Sequence, residues 1–503
     1  MPATNHDGRY GGAGAAPVTA RAALPTRVGW RAPLVVAALI LGVTGRITYG
    51  WQAPLWFDET FSAVIATQPS AAALLHWCLN EMTGPAFYMP LWLWVKLAGS
   101  SDMALRVPSL ILSIAAPLLI LWKGAADRDL RLWWAVFALL WVPMFALAGE
   151  ARPYPQLFML GVVQAILFVR LLAAPGIARA SGWVAVSVLL ILTHYWGAVP
   201  CLVQGLAYLA CHRRRAVATW PALLLLLPLI GWAYVHLPLV LAITMPADPV
   251  YPDPLRTALT AIPAMLLGVP LGALIVLAVV IGTFARHAGR RDGGRGAWSP
   301  ETVLGLCGTA SLALIVAFML VRPGFAPRYV TPAMPSLLFG LALWARWMAV
   351  RDARMVIIVV AVLLSTAAGL VLAMLTQPDR DARHLFNLER PSAWLAERRP
   401  TRLVMFWDGP IGALTPDAAL DAVGGFFLRR GGRPLTVVVA RATPAQDPNR
   451  AVLARATPGS VILWTANDSL PDDRRPRIAH YDAGYDCRDF GGGQLTMTAC
   501  RPK

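Results

Sequence analysis

Charge is what this sequence has least of. Only 14% of its 503 residues are Asp, Glu, Lys or Arg, and acidic side chains are the scarcer kind, 27 against 44 basic ones. With 57% hydrophobic residues and a mean hydropathy of +0.56, the chain lies outside the range of soluble domains and reads as a polytopic membrane protein. Cysteine is also sparse. The six present form no CxxC and show no metal-ligand spacing, which excludes a zinc ribbon or a thioredoxin-like redox site. No GxGxxG follows a strand pattern, so a dinucleotide-binding fold is not expected. There is no internal repeat and no nucleic-acid recognition module. The formal charge of +17 sits mostly in short loops between apolar runs, where membrane orientation accounts for it, so no nucleic-acid partner is expected.

The apolar runs are confined to residues 33–375. Residues 1–32, rich in Gly, Ala and Arg, read as a disordered cytoplasmic tail, and no small-residue cleavage site follows the apolar run Pro33–Val43, which makes that run an uncleaved anchor. Residues 376–503 have the composition of a small soluble α/β domain. Helix-like stretches are expected near 383–398 and 415–429, β-rich runs at Leu403–Trp407, Leu435–Ala440 and Val461–Trp464, and a turn at Gly491–Gly493.

Twelve apolar segments occur, among them 85–99, 132–149 and 259–285. The loops 122–131, 170–182, 212–215, 286–295 and 345–354 hold fifteen Lys and Arg, whereas the alternating loops 150–155, 194–197, 241–258 and 322–328 hold four. The positive-inside rule places the first set in the cytoplasm, together with the N-terminal tail. Both demands are met if 85–99, with its two prolines and Lys96, lies in the interface rather than crossing. The expectation is about eleven transmembrane helices, interfacial helices in the first external loop, and a C-terminal α/β domain on the outer, periplasmic side of a bacterial cytoplasmic membrane. Of the cysteines, Cys78, Cys201, Cys211 and Cys307 are expected as buried small hydrophobes. Cys487 and Cys500 are placed to pair if their domain faces an oxidising compartment.

That topology brings Asp58-Glu59, Arg152-Pro153-Tyr154, His194-Tyr195 and Arg328-Tyr329 to one outer face. Adjacent carboxylates at a membrane surface are expensive and usually functional. At these residues the chain resembles the GT-C superfamily of integral-membrane glycosyltransferases, in particular bacterial relatives of protein O-mannosyltransferases, lipid A aminoarabinose transferases and lipopolysaccharide galacturonosyl transferases. The pieces that carry the likeness are Leu55-Trp56-Phe57-Asp58-Glu59, Ala104-Leu105-Arg106-Val107-Pro108-Ser109, Glu150-Ala151-Arg152-Pro153-Tyr154, and Arg328-Tyr329 with Pro332 and Pro335. Two departures stand out: the usual PPLYY-like stretch reads Gly84-Pro85-Ala86-Phe87-Tyr88, and nothing resembles the acidic pair that holds a metal in some members, so no cofactor is expected.

The resemblance implies a polyprenyl-phosphate-sugar donor and an inverting transfer to an envelope glycan, lipid or protein. Such a reaction needs a base for the acceptor hydroxyl and positive charge for the departing phosphate. Asp58 is the expected base, its basicity raised by an aromatic wall of Trp51, Trp56, Phe57 and Phe61, with Glu59 adding like-charge repulsion or holding an arginine. Alternatively Asp58 only caps a helix through Glu59–Ala66. Arg46, Arg106, Arg152, Arg322 and Arg328 are candidates for the phosphate. Arg46 could instead snorkel, Arg106 pair with Asp102, and Arg152 and Arg328 pair with Glu150 and Asp58. Tyr154, His194, Tyr195 and Tyr329 are candidates for the substrate pocket, and Asp248 and Asp253 either touch a sugar or sit in a solvated lid. The rival readings are a membrane transporter, which would favour inverted repeats and midplane polar residues, and an envelope scaffold.

Overall fold

The structure is a computed structural model that describes residues 31–49, 53–244, 254–288, 298–321, 326–376, 387–408, 415–430, 432–443, 446–467, 484–491 and 495–503. The N-terminal tail, Trp51, Asp248, Asp253, Arg322 and most of the Gly491–Gly493 turn lie outside them.

The first helix, α1 (Arg31–Thr48), leads into three short helices, α2 (Phe57–Ala66), α3 (Ala71–Cys78) and α4 (Pro85–Ala98). Helix α4 spans 14 residues, about 21 Å, too short for a ~30 Å hydrocarbon core. Pro85 opens it and Gly99, at φ +80°, closes it. The bundle continues with α5 (Asp102–Lys123), α6 (Arg128–Leu139), α7 (Pro143–Ala148), α8 (Tyr154–Ala173), α9 (Ile177–Thr193), α10 (Ala198–His212) and α11 (Arg214–Val217). It is completed by α12 (Leu227–Thr244), α13 (Pro254–Leu267), α14 (Pro270–Ala288), α15 (Pro300–Val321), α16 (Met334–Arg351) and α17 (Ala353–Thr376).

Among the described residues six helices are long and apolar enough to cross a membrane, or seven if a bent pair counts as one span, while Ala32–Thr48 and Ile177–Thr193 are apolar but shorter. Exposed Leu223, Ile230, Leu271 and Val321 on these helices show an apolar outer surface suited to lipid. The protein is a multi-pass membrane protein. Two expected single segments are broken. The run 132–149 becomes α6 and α7, and the run 259–285 bends by 79° where Gly268, at φ +87°, and Pro270 interrupt it.

Glycines set the closest helix approaches. A Cβ on Gly305 of α15 would lie 3.1 Å from the Cα of Gly340 on α16, and one on Gly308 would lie 2.5 Å from the backbone at Ser336 and Leu337. Small residues at such crossings let backbones touch, and this one fixes the start of α16, just after Arg328. At the other end of the bundle Asp127 pairs with Arg346 at 2.8 Å, joining two of the Arg-rich loops.

Arg46 is not at the outer surface reaching for a phosphate. It is fully buried in α1 and donates to the carbonyls of Gly42, Leu139 and Ala138 at 2.7, 2.9 and 2.8 Å. The last carbonyls of a helix have no intrahelical partner, and α6 ends at Leu139, so Arg46 caps it where that span breaks.

The C-terminal part adds α18 (Glu389–Ala396), β1 (Arg402–Trp407), α19 (Asp417–Arg429), β2 (Thr436–Val439), α20 (Pro448–Leu453), β3 (Val461–Asn467), β4 (Tyr485–Gly491) and β5 (Leu495–Pro502). The sheet order is β2-β1-β3-β5-β4, with β2, β1 and β3 parallel and the last two antiparallel to their neighbours. The three expected strands are present. The β4–β5 hairpin was not anticipated, and in it Cys487 and Cys500 stand opposite each other, joined by a disulfide. Cys78, Cys201 and Cys307 are buried, but Cys211 is exposed.

Candidate active site

Glu59 and Asp58 are neighbours with different surroundings. Glu59 is 1% exposed and its carboxylate is fully engaged. Oε1 accepts from Arg106 Nε and from the Ala151 amide, both at 2.8 Å, and Oε2 accepts from Arg106 Nη2 at 2.6 Å and from the Trp56 amide at 3.2 Å. The Trp56 contact is the return half of a capping box at the start of α2. Arg106 also donates to the carbonyls of Ala53 and Pro54. The pair ties α2, α5 and the 150–154 turn together. Glu59 thus holds an arginine, one of the two roles expected for it, and both members of the pair are buried. Asp102, the partner expected for Arg106, pairs instead with Arg430 of α19.

Asp58 is the second residue of α2 and not its cap, because Trp56 occupies the cap position. Its side chain is 25% exposed. Oδ2 accepts from Arg328 Nη2 at 2.8 Å, and Arg152 Nη2 lies 3.9 Å away. The aromatic wall differs from the one expected. Phe57 and Phe61 face the C-terminal domain, and of the expected wall Trp56 remains beside the Asp58–Arg328 pair, joined by Tyr154. The Arg328 guanidinium sits over Trp56 at 5.2 Å and Tyr154 at 5.8 Å, and its Nε donates to the Tyr154 hydroxyl at 2.7 Å.

Arg152 is 5% exposed and is held by a carboxylate that the sequence did not single out. Glu81 accepts both of its terminal nitrogens, at 3.0 and 3.2 Å, and also the Tyr88 hydroxyl at 2.8 Å. Arg152 Nη1 also reaches the Asp58 carbonyl and Ser62 Oγ, at 3.2 and 3.4 Å. Burial pushes the Glu81 carboxyl upward, but the adjacent Arg152 guanidinium outweighs it and holds Glu81 below its ordinary value. For Arg152 burial acts downward and is overcome by Glu81 and Asp58, which keep it charged.

His194 closes the cluster from α9. Thr83 and His194 form an antiparallel bridge, and the Gly84 amide donates to the Thr193 carbonyl at 3.0 Å. A Cβ on Gly84 would fall 2.1 Å from the Leu192 oxygen, so only glycine allows this approach. The His194 ring is buried, 5.2 Å from the ring of Tyr329, which stacks on Trp196. Burial, reinforced by Arg152, pushes His194 down to about 3, so it is neutral at physiological pH. The Tyr195 hydroxyl bonds Nδ1 of His236 on α12 at 2.8 Å.

Asp58, Arg152, Tyr154, His194, Arg328 and Tyr329 thus converge, while Arg46, Glu59, Arg106 and Tyr195 are held by other partners. Among the described residues no three His, Cys, Asp or Glu side chains gather as a metal donor set. The arrangement can take a proton on Asp58 and offer permanent positive charge to an anion beside it.

No protein-family model and no curated protein matches the sequence. Solved structures do match. The chain superposes on ArnT from Cupriavidus metallidurans in the apo state with a TM-score of 0.52 at 13% identity, covering 94% of this chain and 98% of that one. The same protein bound to undecaprenyl phosphate gives 0.51 at 14% identity, with the same coverage. Arabinosyltransferase EmbB from Mycobacterium smegmatis gives 0.43 at 16%, covering 74% of this chain and 42% of that one. The chain has the ArnT fold over nearly its whole length.

Proposed function

We propose that the protein is an inverting glycosyltransferase that moves a sugar from a polyprenyl-phosphate donor to an envelope acceptor at the outer face of the cytoplasmic membrane. The observation that carries the reading is the Asp58–Arg328 pair. It is a partly exposed carboxylate and a partly exposed guanidinium at 2.8 Å, ringed by Trp56, Tyr154 and Arg152, in a fold shared with a protein that binds undecaprenyl phosphate.

A donor phosphate competes with Asp58 for Arg328. Arg328 is 28% exposed and so is the guanidinium free to approach it, while Arg152 is already matched by Glu81 and acts through its field. Drawing Arg328 toward phosphate frees Asp58 to accept the proton of an acceptor hydroxyl. That oxygen forms the new bond to the anomeric carbon from the face opposite the phosphate, and the carbon–oxygen bond to phosphate breaks. The electron pair leaves on the phosphate, where Arg328 and Arg152 meet the added charge. One displacement inverts the anomeric centre.

The proposed topology has eleven crossings: α1, α5, α6 with α7, α8, α9, α10, α12, α13 with α14, α15, α16 and α17. Supporting it, the contact between Asp127 and Arg346 and the cluster at Asp58 lie at opposite ends of α5 and α16. Residues 376–503 then form a periplasmic domain.

The test is transfer from a panel of radiolabelled polyprenyl-phosphate sugars by purified protein, the parent beside Asp58→Asn. The variant is expected to fold, bind donor and turn over about 100- to 10,000-fold more slowly, the usual cost of losing a positioned base. Transfer by Asp58→Asn at the parent rate would remove the base from this carboxylate. Vesicle translocation without transfer would favour the transporter.

A further inference from the structure

The helix that carries Asp58 is shared between the bundle and the C-terminal domain. Along α2, Phe57 and Val64 are buried, and Phe61 packs, in one core with Leu403, Met405 and Trp407 of β1, Leu420 and Val423 of α19, and Leu388. Ala63, Ile65 and Ala66 turn the other way, into a core with α3, α4 and Leu105 of α5. The Phe57 ring meets the Trp407 ring edge-on, with centroids 4.5 Å apart and planes at 87°. Trp56, one residue earlier, forms an antiparallel bridge with Asn387. Asp58 therefore lies between a neighbour held by the C-terminal domain, Phe57, and one held by the bundle, Glu59.

We propose that Trp407 is a positioning residue for Asp58, acting through Phe57, so that the C-terminal domain completes the active site without contributing a group to it. The proposal rests on the reading of Asp58 as the base. Trp407 is suited to the role because it ends β1, which is paired on both sides, by β2 and β3. Beyond it the Asp408 amide still bonds the Thr465 carbonyl at 2.8 Å. The backbone that carries the ring is thus held by the sheet, through Thr465 of β3, independently of the helix it supports. Deleting the ring opens space beside Phe57 at the first turn of α2, where a small rotation moves the Asp58 carboxylate relative to Arg328. A displacement of about 1 Å in a catalytic group can cost ~100-fold in rate.

The experiment uses full-length protein in detergent, as the parent and as Trp407→Ala, Trp407→Phe and Trp464→Ala. Trp464 belongs to the core on the opposite face of the sheet, with Phe406 and Val452, and so controls for damage to the domain that does not pass through Phe57. With a donor that the parent uses, Trp407→Ala is expected to lower kcat by about 10- to 100-fold at a nearly unchanged donor KM. Trp407→Phe should recover most of the loss and Trp464→Ala should keep the parent kcat. A folded Trp407→Ala with the parent kcat, or an equal loss in Trp464→Ala, overturns the proposal. Should Trp407→Ala not fold, Trp407→Leu is read in the same way.

A fluorotryptophan at position 56 gives a readout that needs no substrate. Its fluorine resonance should be a single line in the parent and in Trp464→Ala, and broadened or split in Trp407→Ala. If the parent transfers from no donor, the glycosyltransferase reading fails, and the fluorine line alone decides positioning. An unchanged line in Trp407→Ala then overturns it.

Discussion

Replacing Glu59 by Gln separates structure from chemistry at this site. Gln keeps the shape and one acceptor but puts an NH2 where an oxygen accepted two donors. If Oε1 is retained, the Ala151 amide and Arg106 Nε keep their partner, while Arg106 Nη2 and the Trp56 amide face a donor. If Oε2 is retained, the other two contacts are lost. In both orientations Arg106, 1% exposed, keeps its charge but loses the carboxylate of Glu59. Breaking a buried pair by neutralising one partner costs roughly 3–5 kcal/mol, mostly from the charge left behind. The expected outcome is a large loss of folded protein and a clearly lower melting temperature, followed by size-exclusion of the detergent-solubilised protein over a temperature ramp. Activity should fall with the folded fraction and no further. Glu59→Gln that melts like the parent yet has no transfer activity would refute the reasoning and return Glu59 to the chemistry. Glu59→Ala with Arg106→Leu removes both charges together and should recover part of the stability, because the cost is the orphaned charge and not the absent pair.

Arg328→Ala should weaken binding of a polyprenyl phosphate much more than it changes the melting temperature, since Arg328 is partly exposed; affinity in nanodiscs measures it. For His194, folding moves the value down from 6.5 to about 3, so between those pH values the unfolded chain binds more protons. Its contribution is full above about pH 6.5 and is lost on acidification toward 3, and His194→Gln should flatten the pH dependence of unfolding in that window. Glu81, also held low, acts with the same sign: its contribution is present above the ordinary carboxylate value and lost as pH falls through its lowered one. Thiol titration of denatured, unreduced protein should find four reactive cysteines, because Cys487 and Cys500 are joined; six would exclude the bridge.

The convergence of Asp58, Arg152, Tyr154 and Arg328 was legible because three motifs and the loop charges independently placed them at one end of the bundle. The partners of the arginines were not. The local sequence of an arginine near a helix end does not say whether it meets a partly exposed carboxylate, a buried carboxylate or orphan carbonyls, as Arg328, Arg106 and Arg46 do here. Glu81 was missed for a related reason: in Leu79-Asn80-Glu81-Met82 nothing separates it from a solvated loop acid, and only the fold brings it against Arg152 and Tyr88. The β4–β5 hairpin did carry a signal. Leu495, Met497 and Ala499 alternate with polar residues, but Asp486, Arg488 and Asp489 in the facing strand masked it.

The fate of the aromatic wall shows where sequence proximity misleads. Phe57 and Phe61 are adjacent in sequence to Asp58 yet point elsewhere, because successive residues on a helix are about 100° apart. Residues 57, 61 and 64 share one face, and it is covered by the C-terminal domain. Asp58 and Ser62, four residues apart, share another, and both meet Arg152, through the Asp58 carbonyl and the Ser62 hydroxyl. Besides Trp56, the rings at the site, Tyr154, Tyr329 and Trp196, come from residues about 100 to 270 positions away. A ten-residue helix with two covered faces has little freedom to turn, and that restriction is what the site requires of it. The carboxylate it carries is shared between two guanidiniums, and one face of the helix is set by the bundle and the other by the C-terminal domain.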